Sequence, residues 1–237
     1  MSPVLFIPGL LCSAEVFGPQ LNALWRFGPV MVASTLEAST IGDAAAKILE
    51  RAPPRFALAG LSMGGYICFE IIRQAPRRVL RLALLDTSAR PDTPEQSAIR
   101  RESLEEARSN GFLGVALQNL NGLLHPSRRN DRSLLDINRR MALSVGLEGF
   151  ARQLEIAISR PDSRPDLKAI RVPTLAIVGD SDPLTPVERS EEIVSLVPDS
   201  RLVVLPACGH LSPIERPDLV SRALQEWLGW PGAADVR

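Results

Sequence analysis

A serine enclosed by glycines constrains the fold of this chain more than any other feature. It stands in residues 60–65, which read Gly-Leu-Ser-Met-Gly-Gly. The apolar run at residues 55–59 predicts a buried parallel strand before the turn, and residues 66–72 predict a helix after it. A serine at such a strand-to-helix junction is typical of a nucleophile elbow, the sharp turn that presents a reactive hydroxyl group.

The glycines explain how such a turn is built. Gly60 and Gly64 leave room for a turn too tight for side chains, which forces Ser62 into a strained and exposed position. The next helix points its unpaired N–H groups at any negative charge beside the Ser62 oxygen. The pattern therefore predicts a nucleophile. A plain glycine-rich turn and a phosphate-binding loop remain alternatives, although the lysine or Gly-x-Gly-x-x-Gly spacing of phosphate loops is missing.

Strands and helices alternate along most of the chain. Apolar runs predict strands at residues 4–7, 30–33, 55–59, 79–85, 172–178 and 201–205. Helical spacing predicts helices at residues 14–25, 41–52, 66–72, 186–197 and 213–228. This order is typical of a doubly wound parallel sheet, so we predict an α/β fold. Residues 231–237 are expected to be frayed.

Residues 89–168 interrupt the alternation. The stretch is charged and has no strand pattern, but apolar residues recur at helical spacing: Phe112, Val115, Ala116, Leu120, Met141, Leu143, Val145, Leu147, Phe150, Leu154 and Ile158. We predict an inserted helical cap on a core of residues 1–88 and 169–237. Ordinary sheet-covering helices are the alternative. The apolar face has two interpretations, packing against the core or walling a substrate pocket.

Composition narrows the possible partners and the compartment. The 237 residues suit one α/β domain with an insertion. The 27 basic and 27 acidic residues give a formal net charge of zero, which offers no basis for a nucleic-acid or membrane partner. No apolar run approaches membrane-spanning length, and the N-terminus has no signal-peptide pattern. Three cysteines, an odd number, fit a reducing compartment. We therefore expect a cytoplasmic protein.

A serine hydroxyl needs a neighbouring general base, and the chain has two histidines. His210 directly follows the last predicted strand. Ser62 also follows a strand, and chemistry in open α/β sheets gathers beyond the carboxyl ends of the strands. We predict that His210 is the base, with a loop or helix-capping histidine as the alternative. His125 lies in the insertion, where a contact with substrate is the most we expect of it.

An acid must orient the histidine, and three aspartates follow predicted strands. Asp182 is our prediction, because Pro183 and a second proline at position 186 restrict the backbone that carries it. Asp180 and Asp86 are the alternatives, and Asp180 also suits capping of its own turn.

Four motifs carry a resemblance to a known family. They are Pro8-Gly9-Leu10-Leu11, residues 60–65, Gly-Asp-Ser-Asp-Pro-Leu-Thr-Pro at 179–186 and Gly-His-Leu-Ser-Pro-Ile-Glu-Arg-Pro at 209–217. On these motifs the chain resembles the α/β-hydrolase superfamily, in its small-molecule esterase and lactonase branch, over nearly all of the chain outside the insertion. The resemblance implies the acid role of Asp182. It also implies an oxyanion hole formed by the backbone N–H groups of Leu10 and Met63.

Two departures from the family pattern alter the expectation. Pro8 stands where the family commonly has histidine. The expected hydrogen bond to the oxyanion comes from a backbone N–H group of this loop, so it does not depend on a histidine side chain. Only three residues precede Val4, whereas the family usually has two strands there. We therefore expect about six mainly parallel strands, with the family's first two missing and one sheet edge more exposed.

The sequence thus predicts a serine hydrolase that cleaves small, mainly apolar carboxylic esters through an acyl-enzyme, with no metal or organic cofactor. Alternatives are a lactonase resembling 3-oxoadipate enol-lactone hydrolases, a hydrolase of carbon–carbon bonds, and a non-turnover ligand receptor on the same fold. Cys12 and Cys208 flank the predicted site, and without four ligands at metal-like spacing we interpret them as small buried thiols. The oligomeric state is not predicted.

Overall fold

The computed structural model of the chain describes residues 2–231. Within them, six parallel strands form one sheet in the order β2-β1-β3-β4-β5-β6. The strands are β1 Val4–Ile7, β2 Val30–Val32, β3 Phe56–Leu61, β4 Val79–Leu85, β5 Thr174–Gly179 and β6 Ser200–Leu205. The predicted six-stranded parallel sheet is confirmed.

Ten α-helices accompany the sheet in the described part of the chain. They are α1 Gly18–Leu24, α2 Ile41–Arg51, α3 Met63–Gln74, α4 Pro94–Asn110, α5 Phe112–Gly122, α6 Arg132–Ile158, α7 Arg164–Leu167, α8 Val187–Leu196, α9 Ser212–Glu215 and α10 Pro217–Leu228. No helix within residues 2–231 combines the length and apolarity that crossing a bilayer requires.

The sheet is covered on both faces because side chains alternate along each strand. In β1, Phe6 belongs to the buried cluster that includes residues of α1 and α10, whereas Ile7 belongs to the cluster that includes residues of α2, α3 and α8. All of β3 is buried. Buried parallel strands need apolar residues on both faces, which is why continuous apolar runs predicted them.

The carboxyl ends of the strands lie level with one another. Ile7 pairs with Gly60, Leu61 with Leu85, and Gly179 with Leu205. The loops that follow β1, β3, β4, β5 and β6 therefore meet at one edge of the sheet.

Residues 89–168, all of which the structure describes, contain α4 to α7 and no strand. Helix α6 is interrupted at Gly146, which has a φ of +67°. Glycine adopts this conformation without the steric penalty that a side chain would bring. Apolar side chains of α4, α5 and α6 join the core cluster on the α1 and α10 face. The prediction that Leu143 belongs to the apolar face is wrong, because Leu143 is 57 % exposed. It lies two positions from buried Met141, and two residues turn an α-helix by more than half a circle.

The predicted final helix at 213–228 is divided in the structure. Helix α9 ends at Glu215, and α10 begins at Pro217. Arg216 between them has φ −131° and ψ 55°, outside the helical region. Proline disfavours helical backbone in the residue before it, which explains the break. The prediction for residues 232–237 lies outside the described residues.

Candidate active site

Ser62 occupies the turn between β3 and α3. Its φ of +54° and ψ of −116° are uncommon for a residue with a side chain. Neighbouring groups hold this backbone: its N–H donates to Leu85 O at 2.9 Å, and its carbonyl accepts from Gly65 N and from the Thr87 hydroxyl, each at 2.8 Å. Such strain persists only where the surroundings fix it, as they do here. Thr87 belongs to none of the motifs that predicted the site.

Three glycines make the turn possible. A Cβ atom at Gly60 would come closer than 3.0 Å to the carbonyl oxygen of Gly64, and one at Gly64 equally close to that of Ile7. Glycine at these two positions was predicted. Gly65 was not, and a Cβ there would meet the Thr87 side chain closer than 3.0 Å.

Asp182 and His210 form a buried pair at the ends of β5 and β6. Asp182 Oδ2 lies 2.7 Å from His210 Nδ1. The other oxygen, Oδ1, accepts from Leu184 N at 2.8 Å and Thr185 N at 2.9 Å. The Thr185 hydroxyl also donates to Oδ2 at 2.6 Å. Together these bonds fix the carboxylate against the ring. Thr185 lies in a recognised motif, but sequence analysis gave it no role.

The pKa values of this pair reflect both burial and charge. Burial is the largest single influence and favours the neutral ring of His210, but the charge and hydrogen bond of Asp182, together with the charges of Asp86 and Glu215, outweigh it. The pKa of His210 is therefore raised. Burial alone would raise the pKa of Asp182, whereas His210 and Thr185 lower it on balance. An aspartate of lowered pKa stays ionised beside the histidine and can accept the hydrogen bond that an imidazolium N–H donates.

The hydrogen bond to Asp182 also assigns the tautomer of His210. Because Nδ1 faces a carboxylate, it carries the proton, which leaves Nε2 as an acceptor. Ser62 and His210 line the same cavity. In the part of the chain that the structure describes, no hydrogen bond joins the two side chains. Bonds between nucleophile and base commonly tighten only when substrate is bound.

The loop after β1 lies directly beside Ser62. A Cβ built on Gly9 would stand 3.3 Å from Ser62 Cβ. Gly9 O accepts from Cys12 N at 3.1 Å, and Leu11 has a positive φ of 59°. Leu10, between them, lines the cavity with Ser62 and Met63. Met63 is the first residue of α3, so its N–H has no partner within the helix.

The alternative acids have other partners. Asp86 is fully buried, and its carboxyl group accepts from Gly179 N at 2.9 Å and bonds the Ser212 hydroxyl. Burial, followed by the charge of Asp182, raises the pKa of Asp86 well above its usual range. Asp180 does not cap its own turn through the backbone; it accepts from Ala207 N and Cys208 N, in the loop that leads to His210.

The remaining histidine and a glutamate tie the insertion to the His210 loop. The ring of His125 contacts the Ser127 hydroxyl at 2.7 Å and does not line the cavity. Its backbone N–H donates to Glu215 Oε2 at 2.8 Å, and Leu211 N donates to Glu215 Oε1 at 3.2 Å. Glu215 is fully buried, and sequence analysis did not single it out.

The three cysteines are buried and unpaired with one another. Burial raises the pKa of the Cys12 thiol to about 12 and that of Cys208 well above its usual range, so neither is a thiolate near neutral pH. Among residues 2–231 no group of three or more histidine, cysteine or acidic side chains has a metal-binding arrangement.

The cavity at Ser62 is small and mainly apolar. Leucines dominate its wall: Leu10, Leu11, Leu61, Leu120, Leu123, Leu184 and Leu211. Its volume is about 40 Å³, which holds only a few water molecules. A larger groove of about 250 Å³ lies between β2 and α2 and contains none of the predicted site residues.

A parallel sheet with a strained serine after one strand and an Asp–His pair after two later strands defines the class of the α/β hydrolases. The model of the alpha/beta hydrolase fold family matches residues 38–217, and the chain belongs to this family. The predicted family is confirmed.

The chain is similar to known esterases and to a lactonase. A thermophilic esterase from Thermogutta terrifontis, solved with malate bound, is 32 % identical with a TM-score of 0.86, over 96 % of this chain and 89 % of that one. An enol-lactonase from Burkholderia xenovorans is 25 % identical with a TM-score of 0.86, over 97 % and 92 %. A pimeloyl-[acyl-carrier protein] methyl ester esterase from Nitrosomonas europaea is 28 % identical over 72 % of this chain and 70 % of its own.

Proposed function

We propose that the chain is a serine hydrolase of small, mainly apolar carboxylic esters, with Ser62 as nucleophile, His210 as general base and Asp182 as orienting acid. The observation that carries the proposal is the buried Asp182–His210 pair, whose free Nε2 shares a cavity with the strained Ser62. The identity of 32 % to an esterase supports the same conclusion.

The reaction begins when Ser62 Oγ attacks the ester carbonyl carbon and His210 Nε2 takes the hydroxyl proton. Asp182 holds the imidazolium that results through Nδ1–H. The tetrahedral intermediate collapses when the carbon–oxygen bond to the alcohol breaks, and His210 returns the proton to the departing alkoxide. Water then attacks the acyl-enzyme by the same route and releases the acid.

The oxyanion of each tetrahedral intermediate needs hydrogen-bond donors. We assign them to the N–H groups of Leu10 and Met63, because both residues line the cavity and Met63 opens a helix. One such donor contributes about 3 kcal/mol to transition-state stabilisation. The whole route uses protein groups and water alone.

The insertion at residues 89–168 is proposed as the cap of the site. Leu120 and Leu123 contribute apolar wall, and Asn119 lies beside them. The bonds of Glu215 to His125 and Leu211 hold this wall against the loop that carries His210. The apolar wall supports esters with small hydrocarbon groups.

A lactone is the second candidate substrate. The likeness to the Burkholderia xenovorans enol-lactonase over 97 % of this chain favours it. The same residues act on a lactone, with one difference: the alcohol released from the carbonyl stays attached to the acyl group. Chemistry at Ser62 therefore does not distinguish the two candidates, and substrate kinetics must.

The test is steady-state hydrolysis of p-nitrophenyl esters from acetate to octanoate, with small lactones in parallel, for the wild type and Ser62→Ala. We expect turnover in the wild type that Ser62→Ala abolishes, with the chain-length profile reporting the size of the cavity. Equal rates in the two proteins contradict Ser62 as nucleophile. Lactone turnover far above ester turnover selects the second candidate.

A further inference from the structure

The wall of the cavity at Ser62 contains one arginine. Arg100, on α4 of the insertion, lines the cavity together with Ser62 and His210. Its side chain is only 18 % exposed. A guanidinium group is a cation, so one positive charge belongs to an otherwise largely apolar wall.

The charge of Arg100 is not fully matched by acidic groups. Its ion-pair partner, Asp92, accepts from Arg100 Nε at 2.6 Å and from Arg100 Nη2 at 3.2 Å. The same carboxylate forms an ion pair with Arg160 Nη1 at 2.6 Å. Asp92 and Arg160 are both buried, with side chains 1 % and 7 % exposed. Two cations share one carboxylate, and this cluster carries one net positive charge.

The cluster is also held in place. Arg160 lies over the ring of Tyr66 at 4.0 Å, and Tyr66 itself lines the cavity. Further bonds join Arg160 Nε to Arg90 O at 2.9 Å and Nη1 to Ala157 O at 2.8 Å. The pair with Asp92 uses Nε and Nη2 of Arg100, and Nη1 takes no part in it. The guanidinium of Arg100 is held by Asp92 and keeps N–H donors at Nη1 outside that pair. It is therefore pre-organised to bind an oxygen anion.

A buried cation is costly unless an anion compensates it. We propose that Arg100 forms a subsite for a carboxylate carried by the acyl group of the substrate, which makes half-esters of dicarboxylic acids the preferred substrates. This inference rests on the proposed function, because it takes the cavity at Ser62 as the ester site. A solely structural role, in which Arg100 only anchors Asp92, is the competing explanation.

Matched substrates separate the two explanations. Ethyl pentanoate and monoethyl glutarate have acyl chains of equal length and differ in the terminal carboxylate; ethanol release reports turnover for both. The series continues from succinate to adipate half-esters. The variants are Arg100→Gln, Arg100→Lys and, as matched control, Arg101→Gln, the exposed neighbour on α4 that does not line the cavity.

We expect the wild type to favour monoethyl glutarate or a neighbour in the series over the matched neutral ester. In Arg100→Gln the ratio of kcat/KM for the anionic to the neutral ester falls about 10- to 100-fold, mainly through KM, since a charge-assisted hydrogen bond is lost. Arg100→Lys keeps part of the preference, and Arg101→Gln keeps all of it. An unchanged ratio in a folded Arg100→Gln overturns the subsite.

Binding tests the subsite without turnover and without a variant. Glutarate should bind the wild type at least tenfold more tightly than glutaramide, its neutral analogue, in calorimetry. Equal affinity, or no binding of either, overturns the subsite. Absence of Ser62-dependent hydrolysis of every ester, with glutarate still preferred, overturns the proposed function and leaves the anion subsite standing.

Discussion

The side-chain oxygen Oε1 of Gln153 accepts a hydrogen bond of 2.8 Å from the backbone N–H of Leu11, a residue 142 positions earlier. The amide nitrogen of Gln153 donates to the Thr35 hydroxyl at 2.8 Å, and the side chain is fully buried. One residue of the insertion therefore fixes the loop after β1, at a residue with positive φ. The neighbouring N–H, that of Leu10, is the one assigned to the oxyanion hole.

Gln153 is expected to act as a positioning residue for that donor. In Gln153→Met, which keeps the length and loses the acceptor, kcat should fall about tenfold with little change in KM, because a misplaced donor weakens transition-state binding alone. Steady-state kinetics with a neutral ester measure both constants.

Gln153→Glu is the matched control for this prediction. Its carboxylate still accepts from Leu11 N and can also accept from the Thr35 hydroxyl, so kcat should recover relative to Gln153→Met. Equal losses in the two variants, or a change in KM alone, would contradict a positioning role.

The glycines of the nucleophile elbow predict a contrast in stability. A Cβ at Gly64 would come closer than 3.0 Å to the carbonyl oxygen of Ile7, a backbone atom of β1, whereas nothing lies within 4 Å of a Cβ at Gly42 in α2. Gly64→Ala should lower the free energy of unfolding by about 3 kcal/mol or more. Gly42→Ala should raise it by up to about 1 kcal/mol.

Urea unfolding monitored by tryptophan fluorescence measures both changes, and Trp227 is a buried probe. A Gly64→Ala protein as stable as the wild type would contradict the close approach of residue 64 to the carbonyl oxygen of Ile7.

The sheet and the elbow were predictable because their signals are local. Buried parallel strands are continuous apolar runs, and the turn at Ser62 needs glycine within a few residues. Asp182 and His210 were predicted as site residues because each follows such a run, and the structure brings their side chains together. The supporting residues could not be found in this way. Gln153 and Glu215 bond to backbone groups 142 and 90 positions away, and no periodicity in sequence encodes those pairs.

Substitution of the two candidate acids, Asp182 and Asp86, should affect kcat to different extents. Asp182→Asn should lower kcat about a thousandfold or more, because the imidazolium loses its partner and Nδ1 its tautomer control. Asp86→Asn should lower kcat no more than about tenfold, since the Asp86 carboxyl bonds Gly179 and Ser212 and acts on the ring only through charge. Circular dichroism and steady-state kinetics of both variants provide the comparison. An Asp86→Asn protein as impaired as Asp182→Asn would transfer the orienting role to Asp86.

The raised pKa of His210 predicts the acid side of the pH profile. The base must be neutral to take the Ser62 proton, so kcat/KM should fall as the pH falls through the pKa of the free enzyme, above the ordinary value of 6.5. The charge of Asp182 is the largest influence that raises this pKa, and Glu215 adds a smaller one. In Glu215→Gln the fall should therefore move to lower pH by a small amount, and in Asp182→Asn, where residual activity allows, by more.

Glu188→Gln, on the exposed face of α8, is the control for charge removal at a distance and should leave the profile unchanged. The measurement is kcat/KM for one neutral ester across the pH range in which the protein stays folded. A fall centred at or below 6.5 in the wild type would mean that burial, which favours the neutral ring, outweighs the carboxylates around His210. In that case the Asp182 pair would orient the ring without raising its basicity, and Glu215→Gln would leave the profile where it was.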